Sequence, residues 1–173
     1  MTAATLAVPA RIGAAFAGGV FAGRYFLGDQ AFALIVAPKA TGEYKAAPWG
    51  DRTSVAGADD PEDGLGNTLA MTAAGNELAR WATELRIGGF ADWYLPSRLE
   101  LFVAWLGLRV TKEFKPDWYW TSTQHASTPE YAWRQHFLNG TQGYGHKGIR
   151  FRARAVRRVP IQSFANSIIS EAA

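Results

Sequence analysis

Four short phrases stand in a fixed order in the second half of the chain, and together they restrict the fold more than any other feature. They are Asp92-Trp93-Tyr94-Leu95-Pro96-Ser97-Arg98-Leu99-Glu100-Leu101, Tyr119-Trp120-Thr121-Ser122-Thr123-Gln124, Ala132-Trp133 with Phe137 and Gly140, and Arg152-Ala153-Arg154-Ala155-Val156-Arg157-Arg158. In the first, Pro96 holds Leu95 extended. Ser97 and Glu100 have the spacing of a capping box, in which the hydroxyl and the carboxylate each satisfy an orphan N–H of the first helical turn. Leu101, Phe102, Trp105 and Leu108 then repeat at helical spacing. The other three phrases read as strands over about 118–123, 131–138 and 149–158. In the last strand Ile149, Phe151, Ala153 and Ala155 point one way, and Arg150, Arg152 and Arg154 the other.

Upstream, Met71, Ala74, Leu78, Trp81 and Leu85 form one apolar stripe and predict a single helix, capped by Asn67 or Thr68, with Gly75 inside it and Gly88-Gly89 ending it. Residues 49–67 form a polar loop with Asp51, Asp59, Asp60, Glu62 and Asp63. Farther upstream, Phe32 to Ala37 reads as the buried second strand of a hairpin, with Gly23-Arg24 as a turn signal in front of it. Two helices packed on small, mostly antiparallel sheets is the expected α+β arrangement. Seven Trp, six Tyr and ten Phe supply the core. There are no cysteines, which excludes disulfides and thiol chemistry and suits synthesis in a reducing cytosol. The net charge of +3 says little about partners. The Ala/Gly-rich residues 1–28 have no basic residue before Arg11, and Arg11 and Arg24 interrupt their apolar run, so neither a cleaved signal nor a membrane span is expected.

The four phrases resemble the family named for the Lcl C-terminal domain, a C-type-lectin-like family, over about residues 60–160. Residues 19–49, with Gly23-Arg24, Ala33 to Lys39 and Trp49, are similar to the longer variant found in phage and prophage tail regions. The resemblance implies a C-type-lectin-like domain over 19–160, an N-terminal extension over 1–18 and a C-terminal tail over 161–173. It implies a virion protein of tail, fibre or baseplate, made in the bacterial cytoplasm, whose partners are other virion proteins and a host-surface glycan or protein. Homo-oligomers are expected of such parts; nucleic acid and membrane insertion are not. The alternative is a structural or decoration subunit that binds no ligand.

Catalysis is not expected. Ser97, Ser122 and Thr123 have no His/Asp arrangement near them and no Gly-x-Ser-x-Gly elbow. Sulfatase-activating relatives on the lectin-like fold use cysteines, which this chain lacks. Asp59 to Gly64 lacks the ligand spacing of a calcium loop, and no Glu-Pro-Asn, Gln-Pro-Asp or Trp-Asn-Asp triplet occurs, so no metal or other cofactor is expected. The acidic loop then serves as a solvated segment or as a cap for the helix after it. The C-terminal arginines either keep a strand soluble or pair with Asp92, Glu100 or the acidic loop. Trp93, Trp120 and Trp133 sit at apolar rhythm inside the phrases and are assigned to the core, while Trp118 stands at a strand entrance. Loops 124–131 and 139–147 are the expected recognition surface, because such folds place function on loops over a rigid scaffold. The candidate ligand-binding residues there are His125, Tyr131, Gln142, Tyr144, His146 and Lys147.

Overall fold

The computed structural model describes residues 7–162. In chain order it contains β1 (Ala15–Phe16), β2 (Gly19–Leu27), β3 (Gln30–Val36), α1 (Lys39–Gly42), β4 (Glu43–Ala47), α2 (Gly64–Ala73), α3 (Glu77–Glu84), α4 (Arg98–Leu108), β5 (Trp118–Gln124), β6 (Tyr131–His136), β7 (Gln142–His146), β8 (Phe151–Arg154) and β9 (Val156–Pro160). This is a mixed α+β architecture of four helices and two sheets. One sheet has the order β1-β2-β3-β9 and the other β4-β8-β5-β6-β7. All pairings are antiparallel except β5 with β8. Residues 1–6 of the expected extension and 163–173 of the expected tail lie outside the described residues, and β1 carries Ala15 and Phe16 onto the first sheet.

Three apolar clusters hold the layers together. Tyr25, Leu34 and Val36 pack with Leu101, Ala104 and Leu108 of α4. Phe21, Ile35, Trp93 and Ala155 fill the opposite face of the first sheet. Trp49, Met71, Leu78, Leu95 and Trp120 join α2 and α3 to the second sheet. Trp49 and Trp120 are fully buried, and each indole N–H donates to a backbone carbonyl, Thr121 and Ala47 respectively, so neither leaves an unpaired polar atom in the core.

The capping box is present as expected: Ser97 Oγ accepts from Glu100 N, and the Glu100 carboxylate accepts from Ser97 N. The predicted single helix over 71–85 is instead two helices. Gly75 adopts φ +81°, outside helical space, and Asn76 caps α3 by accepting from Ala79 N. The same Asn76 amide donates to Trp49 O at 2.7 Å. The break lets α3 change direction while tying residue 49 to both helices. The cap of α2 is Asp63 and not Asn67 or Thr68, which are buried inside the helix. Asp60 accepts from Glu62 N and Asp63 N, so the acidic loop does act as a helix entry.

Gly23 is not a turn. It forms an irregularity in β2 at φ +153°, where a Cβ would press on Val103 of α4, and the hairpin turns at Gly28 with φ +57°. The expected last strand over 149–158 divides at Ala155. Its first half joins the second sheet and its second half the first, with Ala155 N donating to Gly42 O and Ala155 O accepting from Ala37 N. Apart from exposed Arg150, the arginines of this stretch are therefore not a solvated face. Arg154 is fully buried against Glu43, Arg152 pairs with Glu43 and Asp117, Arg157 with Asp92, and Arg158 with Asp63. Glu100 takes two tyrosine hydroxyls instead of an arginine.

Candidate functional site: an aromatic face on β6 and β7

The start of α4 is where the four phrases meet. Tyr94 and Val156 exchange backbone hydrogen bonds at 2.9 Å, Arg157 grips both oxygens of Asp92 at 2.7 and 2.9 Å, and Ser122 N donates to Pro96 O at 2.7 Å. Arg98 N donates to Thr123 Oγ1 at 3.2 Å. The first residue of α4 is thus fixed against the second sheet.

Strands β6 and β7 run beside that point. Their register sets Tyr131 opposite His146, Trp133 opposite Tyr144, and Gln135 opposite Gln142. Alternation along each strand puts all six on one face. Trp133 and Tyr144 meet edge-to-face at 5.6 Å between centroids. Tyr131 contacts Tyr144 at 5.5 Å and His146 at 5.6 Å. His125, from the turn after β5, stacks by Trp133 at 5.8 Å and meets Tyr144 edge-on at 4.8 Å. Its ring is oriented by Thr128 N, which donates to Nδ1 at 3.1 Å. Tyr144 is 52 % exposed, His125, Tyr131, Trp133, Gln142 and His146 are half-buried, and Gln135 is buried.

At the inner end of this face the Arg98 guanidinium lies 3.5 Å over the Trp133 ring. Gln142 is locked beneath it, donating to Arg98 O and to Gln135 Oε1, both at 2.8 Å. Gln135 in turn donates to Gly140 O at 2.7 Å. The chemistry on offer is ring faces and edges, one guanidinium and fixed amides, in a shallow open arrangement. Among the described residues, no group of three His, Asp or Glu side chains is close enough to share a metal ion.

Five of the six sequence candidates, His125, Tyr131, Gln142, Tyr144 and His146, come together here. Tyr131, Gln142, Tyr144 and His146 do so on a strand pair rather than on loops, while His125 reaches the face from the turn after β5. Residues 142–146 are β7, the edge of the second sheet, where a loop was expected. Lys147 is the exception. It is fully buried on the far side, donating from Nζ to Thr53 O at 2.7 Å and Gln124 Oε1 at 2.8 Å, and lying 4.4 Å over the Trp49 ring. It straps residues 49–55 to the sheet and offers nothing to an external ligand. Trp133, expected in the core, belongs to the face. Its parity with Tyr131 and against buried Ala132 is the sequence signal for that placement. Arg98 carries no such signal, because only the docking of α4 brings it to the strands.

The model of the Lcl C-terminal domain family matches residues 48–157. The chain belongs to the Lcl C-terminal domain family. The matched stretch of this Lcl C-terminal domain contains α2 to β8, the whole aromatic face and the start of α4, while β2 and β3 precede it. No curated protein matches the chain.

The buried amine of this Lcl C-terminal domain has a measurable consequence. Burial lowers the Lys147 pKa from 10.5 to about 8. The folded protein therefore releases this proton before the unfolded chain does, and stability rises as pH climbs from about 8 towards 10.5. Between pH 7 and 9.5 the gain expected from this group is about 2 kcal/mol. Urea denaturation at the two pH values reads it directly. A Lys147→Met variant should lose that rise; an equal rise in both proteins would refute the assignment.

Proposed function

We propose that this domain is a non-enzymatic recognition module of C-type-lectin-like architecture, carried on a phage or prophage virion at the tail, fibre or baseplate, and that it holds a host-surface ligand on the face of β6 and β7. The observation that carries the reading is the cluster of His125, Tyr131, Trp133, Tyr144 and His146 on one open sheet face, with rings 4.8 to 5.8 Å apart. Exposed, mutually braced rings offer a large contact area at little cost in conformational entropy, the property that makes Tyr and Trp frequent anchors of binding surfaces. Aromatic rings, a guanidinium and amides hold a ligand; they do not by themselves supply a nucleophile with its base. The virion setting is supported by the similarity of residues 19–49 to the phage-tail variant of the family, and the lectin-like architecture by the four phrases closing around α4.

Virions carrying Tyr144→Ala with His146→Ala should adsorb to host cells about tenfold more weakly, the loss of one well-placed anchor. Both side chains lie on an open face, so the purified variant should melt with the wild-type protein. Unchanged adsorption with an intact fold would reject this face as the ligand surface and leave the decoration-subunit alternative in its place.

A further inference from the structure

We infer that Arg98 is the specificity-determining residue of the aromatic face and that the ligand it selects is a saccharide bearing a carboxylate, such as a uronic acid. This rests on the reading of that face as a ligand surface and names the chemistry the surface takes.

Four arginines of the C-terminal strands, Arg152, Arg154, Arg157 and Arg158, each hold a carboxylate within 2.5 to 2.9 Å. Arg98 holds none. Its one side-chain hydrogen bond is long, from Nε to Gln142 Oε1 at 3.4 Å, and its two terminal nitrogens have no acceptor among the described residues. Yet the group is not a loose surface cation. It is half-buried, flat on Trp133 at 3.5 Å, and its backbone is clamped at both ends, by Thr123 Oγ1 on the N–H and by the Gln142 amide on the carbonyl. Burial depresses its proton affinity, with no acidic neighbour offsetting that cost. A guanidinium held in one orientation with its fork unfilled matches a planar carboxylate through two parallel N–H···O bonds.

The surroundings narrow the class further. Lys147 lies on the buried side, so among the described residues of β6, β7, the start of α4 and the turn at His125, Arg98 is the one permanent cation placed on this face, with His125 and His146 as its titratable basic neighbours. A single fixed positive charge suits a monoanion better than a dianionic phosphate or a densely sulfated polymer. From Trp133 under the fork the aromatic row continues along the sheet to Tyr144 at 5.6 Å and on to Tyr131 at 5.5 Å, and such rings suit the C–H face of a pyranose. An acidic peptide would satisfy the fork but would leave those rings without a matching surface.

The test uses the purified domain and NMR titration with methyl β-D-glucuronide and methyl β-D-glucoside, two probes that differ only in the carboxylate. Triglutamate is the third probe. The glucuronide should perturb the resonances of Tyr131, Trp133 and Tyr144 and bind about tenfold more tightly than the glucoside, the worth of one charge-assisted pair. Arg98→Gln should abolish that preference while leaving the weaker glucoside binding in place. Arg98→Lys, which keeps the charge and loses the fork, should retain only part of it. Equal binding of the two sugars by wild type and by Arg98→Gln would overturn the carboxylate assignment while leaving the aromatic face a ligand surface. Tighter binding of triglutamate than of glucuronide would overturn the saccharide assignment. If neither sugar perturbs the face, and Tyr144→Ala changes neither titration nor adsorption, the reading of the face itself falls and this inference with it.

Discussion

Replacing Glu100 with alanine should destabilise the domain by about 3–5 kcal/mol, the usual cost of breaking a fully buried, hydrogen-bonded charge cluster. Glu100 is completely inaccessible. One carboxylate oxygen accepts from both Tyr25 and Tyr94 hydroxyls, and the other accepts from Ser97 N at 2.9 Å. Burial pushes the Glu100 pKa up, and these three donors oppose that shift. Burial also pushes both tyrosines up, so their hydroxyls stay protonated and donate. Alanine would strand two buried hydroxyls and the cap N–H together, and would uncouple β2 from α4. Glu100→Gln keeps the shape and one acceptor oxygen, but aims an NH2 at a donor. It should therefore cost less than alanine and more than a surface change. Urea denaturation of both variants tests this ordering. A loss under about 1 kcal/mol for Glu100→Ala would show that the cluster contributes little.

Glu43→Ala should be of similar size, about 3–5 kcal/mol, because it leaves a guanidinium buried without its counter-ion. Arg154 has no exposed surface. Its Nε and Nη2 both donate to Glu43 Oε2, Nη1 donates to Ala37 O at 3.1 Å, and Nη2 donates to Glu113 O at 2.6 Å. Glu43 also holds Arg152 at 2.8 Å. The cluster sits where the chain passes from β8 to β9, at the joint of the two sheets. Arg154→Met should be milder than Glu43→Ala, since methionine fills apolar volume beside Phe114 and leaves no bare charge. The double variant should then lose much less than the sum of the two. A double-mutant cycle measures this, and simple additivity would contradict the coupling.

Both clusters show how far local reading reaches. The capping box at Ser97 and Glu100 was legible because its partners lie three residues apart and its geometry is set by the first helical turn. That the same carboxylate takes Tyr25, seventy-five positions away, was not legible, because nothing in a local pattern records which strand packs over the helix. The arginine strand shows the same division. Its alternation was visible, but solvent-facing arginines and arginines buried against Glu43 share one alternating pattern, and only the crossing at Ala155 separates them. The apolar stripe over 71–85 picked out buried Met71 and Leu78 and half-buried Trp81 and Leu85, but it also took in Ala74, which is exposed. It missed the break, because Gly75 gains from a tertiary bond: the turn frees Asn76 to cap α3 and reach Trp49 O.

For the candidate site, residue types and spacing were enough to pick out His125, Tyr131, Gln142, Tyr144 and His146, since Tyr, His and Gln between strand signals suit contact surfaces. Composition and local period also determined the mixed α+β class, the start of α4, the aromatic strands and the want of any covalent cross-link. These depend on interactions between near neighbours. Tertiary structure alone decided that residues 142–146 pair with β6 instead of looping, that Lys147 turns inward onto Trp49, and that Arg98 lies across Trp133. The last two join residues distant in the chain and the first is a register between neighbouring strands; all three draw their free energy from burial and packing that exist only once both sheets and α4 have closed on one another.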